Sequence, residues 1–215
     1  MNKQSKRYIL IIASFVLVGM GLAFSIKANI GVGAWDATAK TINEILHIEL
    51  GTVGMMLNCS CVIGQIIVLR SRFKWIQLLQ IPLSILLGTV VNFFLYRVLL
   101  FPFDHFYLGI VMYIVGLVMN AFGVAIVMLL DEVTFALEGF CMALSKVLPY
   151  PFHVIKQMQD VLCIVLATLM SYVLHLPYAV GTGTVIGMLL FGPMLGIFMK
   201  VMKPVLKKRG LLNYE

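Results

Sequence analysis

Long apolar runs separated by short polar or charged clusters dominate this chain. Uncharged stretches at residues 8–26, 51–69, 75–96 and 106–130 are each long enough to cross a hydrocarbon core of roughly 30 Å as a helix. A fifth run, 178–199, is as long but rich in glycine. The sixth, 161–174, is too short alone and reaches spanning length only by taking in the polar turn 153–160. The pattern predicts an all-α membrane protein with six transmembrane helices and both termini on one side. The first run exceeds the apolar region of a signal peptide, and no small-x-small cleavage site with a polar segment behind it follows. It is therefore expected to stay as the first span.

Two amphipathic segments interrupt this pattern, one after the first span and one after the fourth. In the first, Asn29-Ile-Gly-Val-Gly-Ala-Trp-Asp36 leads into a stripe of Ile42, Ile45 and Leu46 opposite Lys40, Asn43, Glu44 and His47. Gly31 and Gly33 loosen the backbone, and Asp36 is placed to cap the short helix that follows. In the second, Asp131-Glu132 precedes Thr134, Glu138 and an apolar run that stops at Pro149 and Pro151. Such a segment can lie flat at the interface or dip into the membrane as a re-entrant half-helix. Periodicity alone favours lying flat.

Sliding the chain against itself by 102 positions aligns the first two spans with the fourth and fifth. Gly21 then meets Gly123, Ala34 meets Ala136, Asp36 meets Glu138, Asn29 meets Asp131 and Cys61 meets Cys163. A shorter offset superposes Gly88-Thr-Val on Gly183-Thr-Val. Each half reads as span, amphipathic segment, span, span. Three spans is an odd number, so halves 8–100 and 106–200 of one transmembrane domain are expected to be inverted relative to each other, followed by a basic tail at 200–215. Inverted repeats recur in secondary transporters, with the site near the midplane where the halves meet.

Composition agrees with a membrane location: 61% of the 215 residues are hydrophobic and 12% are charged, about half the charge of an ordinary soluble domain. A soluble enzyme is thereby excluded, as is disorder. With the N-terminus inside, Lys3, Lys6, Arg7, Arg70, Arg72, Lys74, Lys146, Lys156, Lys200, Lys203, Lys207, Lys208 and Arg209 share the inner side. Only Lys27, Lys40 and Arg97 of the 16 basic residues remain outside. Basic residues accumulate in cytoplasmic loops, so both termini are expected in the cytoplasm. The net charge of +7 then needs no nucleic-acid partner. Cys59, Cys61, Cys141 and Cys163 lack metal-ligand spacing and read as small core residues.

Among polar positions, Asp36 and Glu138 hold equivalent places in the two halves, where a pseudo-symmetric transporter would put substrate or coupling groups; helix capping is the plainer reading of both. Trp35 fits either an interfacial anchor or an aromatic wall of a site. Asn92 and Asn120 lie inside spans, where an amide needs a partner. With Asn29 they complete a substrate-binding set of Asn29, Trp35, Asp36, Asn92, Asn120 and Glu138 around a central cavity. Lys156 and Asp160 stand four residues apart on one helical face and join Asp36 and Glu138 as candidates for ion or proton coupling, since ionisable groups inside a membrane are functional candidates by default; a structural ion pair near the inner mouth is the equal alternative. Gly183 with Gly187, and Gly192 with Gly196, have the spacing that lets helices approach closely. No nucleophile elbow, HExxH or P-loop occurs, so neither an enzyme nor a cofactor is expected.

The stretch Gly21-Leu-Ala-Phe-Ser-Ile-Lys-Ala-Asn29-Ile-Gly-Val-Gly-Ala-Trp35-Asp36, with Gly51-Thr-Val and Gly183-Thr-Val-Ile-Gly-Met-Leu-Leu-Phe-Gly-Pro193, resembles the YczE/YitT-type family of bacterial integral membrane proteins. The likeness runs from about residue 10 to 200. Ala34 stands where that family often has Pro, and Gly181-Thr182 where it often has a charged residue. The resemblance implies a small multi-pass protein of the bacterial cytoplasmic (inner) membrane, of largely uncharacterised biochemistry and often presumed to transport. The expected function is a permease for a small molecule, its partners being the lipid bilayer and an unknown substrate. The alternatives are the substrate-binding subunit of a larger importer, or a membrane accessory protein that scaffolds a complex and moves nothing. A homodimer or an accessory subunit stays open as a protein partner.

Overall fold

The computed structural model describes residues 2–100 and 105–212, so the last three residues of the basic tail lie outside the described residues. The described chain is helical: α1 (Lys3–Lys27), α2 (Ala34–Leu46), α3 (Leu50–Leu69), α4 (Gln80–Phe93), α5 (Phe106–Leu130), α6 (Ala136–Ser145), α7 (Phe152–Val173) and α8 (Thr182–Lys208). A 3-10 turn, Trp75–Leu79, and a π-helical turn, Phe94–Val98, extend α4 at its two ends. Six helices are long and apolar enough to cross a membrane: α1, α3, the extended α4, α5, α7 and α8. They fall on the six expected runs. The short run 161–174 does take in its polar turn, because Pro151 and Phe152 start α7 ahead of it. The last span runs on to Lys208, and the basic tail is helical almost to its end, where Leu211 and Leu212 fold back into the core.

The centre of the bundle is the antiparallel pair α1 and α5. Arg7 donates to the carbonyl of Leu130, Gly21 faces Gly116, and Ala28 faces Gly109. Glycine permits this approach: a Cβ at Gly21 would stand 2.6 Å from the Gly116 carbonyl oxygen. Without a strong hydrophobic drive between helices in lipid, such backbone contact is what holds spans together. Around the pair, α4 packs on α1 and α8 on α5, while α3 packs on α6 and α2 on α7.

One relation breaks this balance. α3 packs along α4, but α7 and α8 have no comparable contact, and Gly192 and Gly196 face open space. The helix-packing reading of the glycine pairs holds for Gly183 and Gly187, which meet Gly31 and Tyr113. It does not hold for Gly192 and Gly196 within this chain.

Candidate functional site

Each of α1 and α5 ends in a residue forced into the left-handed region, Asn29 with φ 53° and Asp131 with φ 49°. Asn and Asp tolerate that conformation better than most residues. The chain then turns back as an extended linker, residues 28–33 in one case and 131–135 in the other, and enters α2 or α6. The two short helices start in the same register, so Asp36 and Glu138 are each the third residue of their helix.

Neither helix lies flat at the interface, which corrects the expectation from periodicity. The hydroxyl of Thr38, in the first turns of α2, donates to the carbonyl of Cys163 at 3.3 Å, close to the midpoint of α7. Phe140, in the first turns of α6, lies against Gly64 in the second half of α3, towards the inner end of the bundle, the end that carries Lys3 and Lys74, the opposite end being the outer one. Both helices therefore begin inside the bundle and run outward to opposite ends. Small residues permit this, since Ala34, Ala37, Thr38, Ala39 and Thr41 form the buried side of α2, and Ala136, Gly139, Cys141 and Ala143, with Leu137 as the one large residue, that of α6. An amphipathic stripe has the same spacing in a flat helix and in a dipping one. Small residues that fit against a span select the dipping arrangement.

The outer linker is clamped backbone to backbone. Val32 N–H donates to the Ala179 carbonyl at 3.1 Å and Gly183 N–H to the Ile30 carbonyl at 2.7 Å; the Thr184 hydroxyl donates to the Val32 carbonyl at 2.6 Å. The inner linker is held by side chains. Gln65 Nε2 donates to Gln80 Oε1 at 2.7 Å and to the Ala136 carbonyl at 3.0 Å, and Gln80 Nε2 donates to Gln77 Oε1 at 2.6 Å and to the Thr134 hydroxyl at 3.4 Å. Arg7 adds an ion pair to Glu132 at 2.9 Å.

α2 and α6 both pack on the same two spans, α3 and α7. Asp36 lies within electrostatic reach of Glu138, Lys156 and Asp160, and Glu138 of Lys156 and Asp160. Lys156 Nζ and Asp160 Oδ1 form an ion pair at 2.6 Å, four residues apart as the spacing predicts. Trp35 is half-buried and packs against the apolar cluster that includes Cys61, Leu137, Cys141 and Ile155. Tyr113 on α5 is buried against Gly187 and feels the charge of Asp36.

Asp36 and Glu138 are each half-buried by surface, yet protein surrounds them deeply enough for lost hydration to govern their titration. Burial pushes the Asp36 carboxyl up to about 7, against the pull of Lys156 and with smaller upward pushes from Glu138 and Asp160. Burial also raises Glu138, opposed by Lys156 and by a hydrogen bond from its own backbone. Neither short helix has a side-chain cap bond at its N-cap residue, Gly33 in α2 or Phe135 in α6. A carboxylate in the first turn complements the helix dipole. The site thus sets two acids held towards their neutral form by burial beside a Lys–Asp ion pair.

Two expected members lie elsewhere. Asn29 is exposed at the outer turn, accepting from Lys40 Nζ at 3.4 Å. Asn92 ties the outer ends of α3 and α4 together, accepting from Gly51 N–H at 2.6 Å and donating to Glu49 at 2.7 Å and Thr52 at 3.1 Å. Both are corrected from cavity wall: Asn29 bonds to a side chain of α2, and Asn92 satisfies a backbone donor at the start of α3. Asn120 is half-buried, its backbone against Gly21 where α1 crosses α5. Gln65 and Gln80 were not anticipated; an amide inside the apolar run 51–69 was the available signal.

The chain belongs to the family of unknown function DUF6198, whose pattern matches residues 5–200. Neither a curated protein nor a solved structure matches it.

Proposed function

We propose that this protein is a permease for a small molecule, built from two inverted repeats, with its site beside α7, on which both α2 and α6 pack. The observation that carries this reading is that two short helices in the same register, one carrying Asp36 and the other Glu138, both pack on α7, which holds the Lys156–Asp160 ion pair. Broken or re-entrant helices whose ends meet at mid-depth are a recurring way to build a transport site in a membrane. Asp36 and Glu138 exchange protons with the passing substrate, Lys156 and Asp160 fix the local charge, and Trp35 supplies an apolar wall. In this reading the basic ends face the cytoplasm, and the resemblance to YczE/YitT-type proteins supports a bacterial cytoplasmic membrane.

The test is purification of the full chain, a thermal-shift screen against a metabolite library, and uptake of each hit into proteoliposomes. A ligand that binds only the folded state raises the melting temperature. Asp36→Asn is expected to abolish both the ligand-induced shift and uptake while the protein still inserts and melts cooperatively. Retention of uptake by both Asp36→Asn and Glu138→Gln overturns the site. The open face of α8 at Gly192 and Gly196 favours a second reading, a subunit of a larger importer, which predicts binding without uptake until a partner is added.

A further inference from the structure

The two linkers leave different amounts of room beside them. At the outer one, Gly31, Gly181 and Gly183 bring backbone onto backbone, and Ile30 and Tyr113 fill the space behind. At the inner one, Gln65 and Gln80 stand between α6 and the start of α4 and hold them apart by the length of two amide side chains. Beside this spacer, between α1 and the start of α4, lies a groove of about 550 Å³. Tyr8, Ile11 and Ile12 form one wall, Pro82 and Leu83 the other, and Val133 of the linker closes one end. The Tyr8 hydroxyl is the only side-chain polar group among the lining residues.

Such a space does not hold water well, because a buried water needs two to four polar partners. Its volume is that of pockets which enclose most of a small ligand, roughly 300–1,000 Å³. It opens on the outside of the bundle, where Ile12 is 47% exposed, so hydrocarbon from the bilayer has direct access. The mouth lies at the ends of the spans that carry positive charge: Lys3 and Lys6 precede Tyr8 within two turns, and Lys74 precedes the extended α4, all three exposed. Each basic residue near a membrane surface contributes about 1 kcal/mol of attraction for anionic lipid.

We propose that this groove binds one acyl chain of an anionic phospholipid, whose headgroup is held by Lys3, Lys6 and Lys74. The chain completes the packing that the glutamine spacer leaves open, and so holds the start of α4 on α1 and supports the inner linker. It does the work that Ile30 and Tyr113 do at the outer linker.

The test uses the full chain, delipidated in mild detergent. Native mass spectrometry follows titration with phosphatidylglycerol or with phosphatidylcholine of the same acyl chains. One phosphatidylglycerol is expected to bind roughly tenfold tighter than phosphatidylcholine, a difference of about 1.4 kcal/mol, and to raise the melting temperature. Ile12→Trp, which fills the groove, should lose both effects. Lys3→Ser with Lys6→Ser and Lys74→Ser should keep acyl binding and lose the headgroup preference. Because a bulky wall residue can disturb folding, phosphatidylglycerol with a diazirine on its acyl chain supplies a readout on the unaltered protein, with adducts expected within residues 8–12 and 79–86. Equal binding of the two lipids, an Ile12→Trp protein that binds as the original does, or adducts spread over α7 and α8 with none in the groove would each overturn the proposal.

Discussion

The outer and inner linkers are six and five residues long, each has a left-handed residue near its start, Asn29 or Asp131, and each enters a short helix in the same register, yet opposite materials hold them. At the outer linker the main chain of residues 30–33 bonds to residues 179–184, and glycines allow the contact. At the inner linker, buried Gln65 and Gln80 make the connection through amide groups, with Arg7 and Glu132 beside them. A backbone clamp has few alternative geometries, whereas side-chain amides can rotate and exchange partners. The difference teaches that equivalent positions in two halves need not be equivalent joints: the outer one is fixed, and the inner one is the joint with freedom to move.

The largest effect should come from putting a side chain where the outer clamp needs none. Gly31 has φ +100° and its Cβ would run into the Gly181 backbone, so Gly31→Ala meets both conformational strain and a collision that no flexible group can relieve. Its cost should be on the order of 4 kcal/mol or more, the exceptional end for one substitution, seen as loss of a monodisperse folded protein in detergent. The equivalent inner position is Val133, buried with 1% exposure. Val133→Ala should cost about 2 kcal/mol, as for loss of a few buried methyl groups. Similar losses for the two variants, read from thermal melting curves, would remove the distinction between the joints.

A middle-sized effect tests the inner joint. Gln80→Leu strips partners from Gln65, Gln77 and Thr134 at once, and a buried polar group left without its partner costs about 1–3 kcal/mol. Since the amides act together, Gln65→Leu with Gln80→Leu should cost clearly less than the two single changes added, with a coupling of about 0.5–3 kcal/mol. Strict additivity in the melting data would mean that the two glutamines do not form one joint.

Much of this arrangement could be read from the chain, and the part that could not has a physical cause. Charge-free runs locate every span, and the offset of 102 residues puts Asp36 and Glu138 in the same turn of their helices. Depth was not legible, because amphipathic spacing does not distinguish a helix on a membrane from one inside a bundle; Ala34, Ala37, Ala136 and Gly139 carry that information only once their partners α3 and α7 are known. Asn92 was misplaced for a related reason: an amide inside a span looks central along the chain, yet the nearest unpaired donor, the Gly51 N–H, stands at the outer end of the neighbouring helix. Arg7 counted towards topology by its charge alone. Its 2% exposure and its bond to the Leu130 carbonyl depend on where α5 happens to end.

A smaller effect compares the two acids that the joints deliver. Asp36 is neutral in the folded protein up to about pH 7, while the same group in the unfolded chain titrates near 3.8. The unfolded state therefore releases its proton first, and folded stability declines as pH rises from the unfolded value through about 7. Melting temperatures taken from about pH 5 to about pH 8 should fall for the original protein and fall less for Asp36→Asn, in which one titrating group is gone. Glu138 is also raised, so Glu138→Gln should flatten the curve in the same sense. An unchanged slope in both variants would mean that neither carboxyl sits in a dehydrated site.

The smallest effect concerns the outer turn itself. Lys40 Nζ reaches Asn29 Oδ1 at 3.4 Å, and Asn29 is exposed. Exposed polar pairs of this length contribute within about 0.5 kcal/mol, because water replaces either partner and ordering the lysine costs entropy. Lys40→Ala should therefore leave the melting temperature nearly unchanged. The value of this variant lies in what a large loss would mean. If Lys40→Ala cost more than about 1.5 kcal/mol, the backbone bonds from Ile30 and Val32 to residues 179–184 would not be enough to hold the outer linker, and a side-chain contact would be sharing that task. The outer joint would then resemble the inner one in kind, and both linkers would have to be treated as movable.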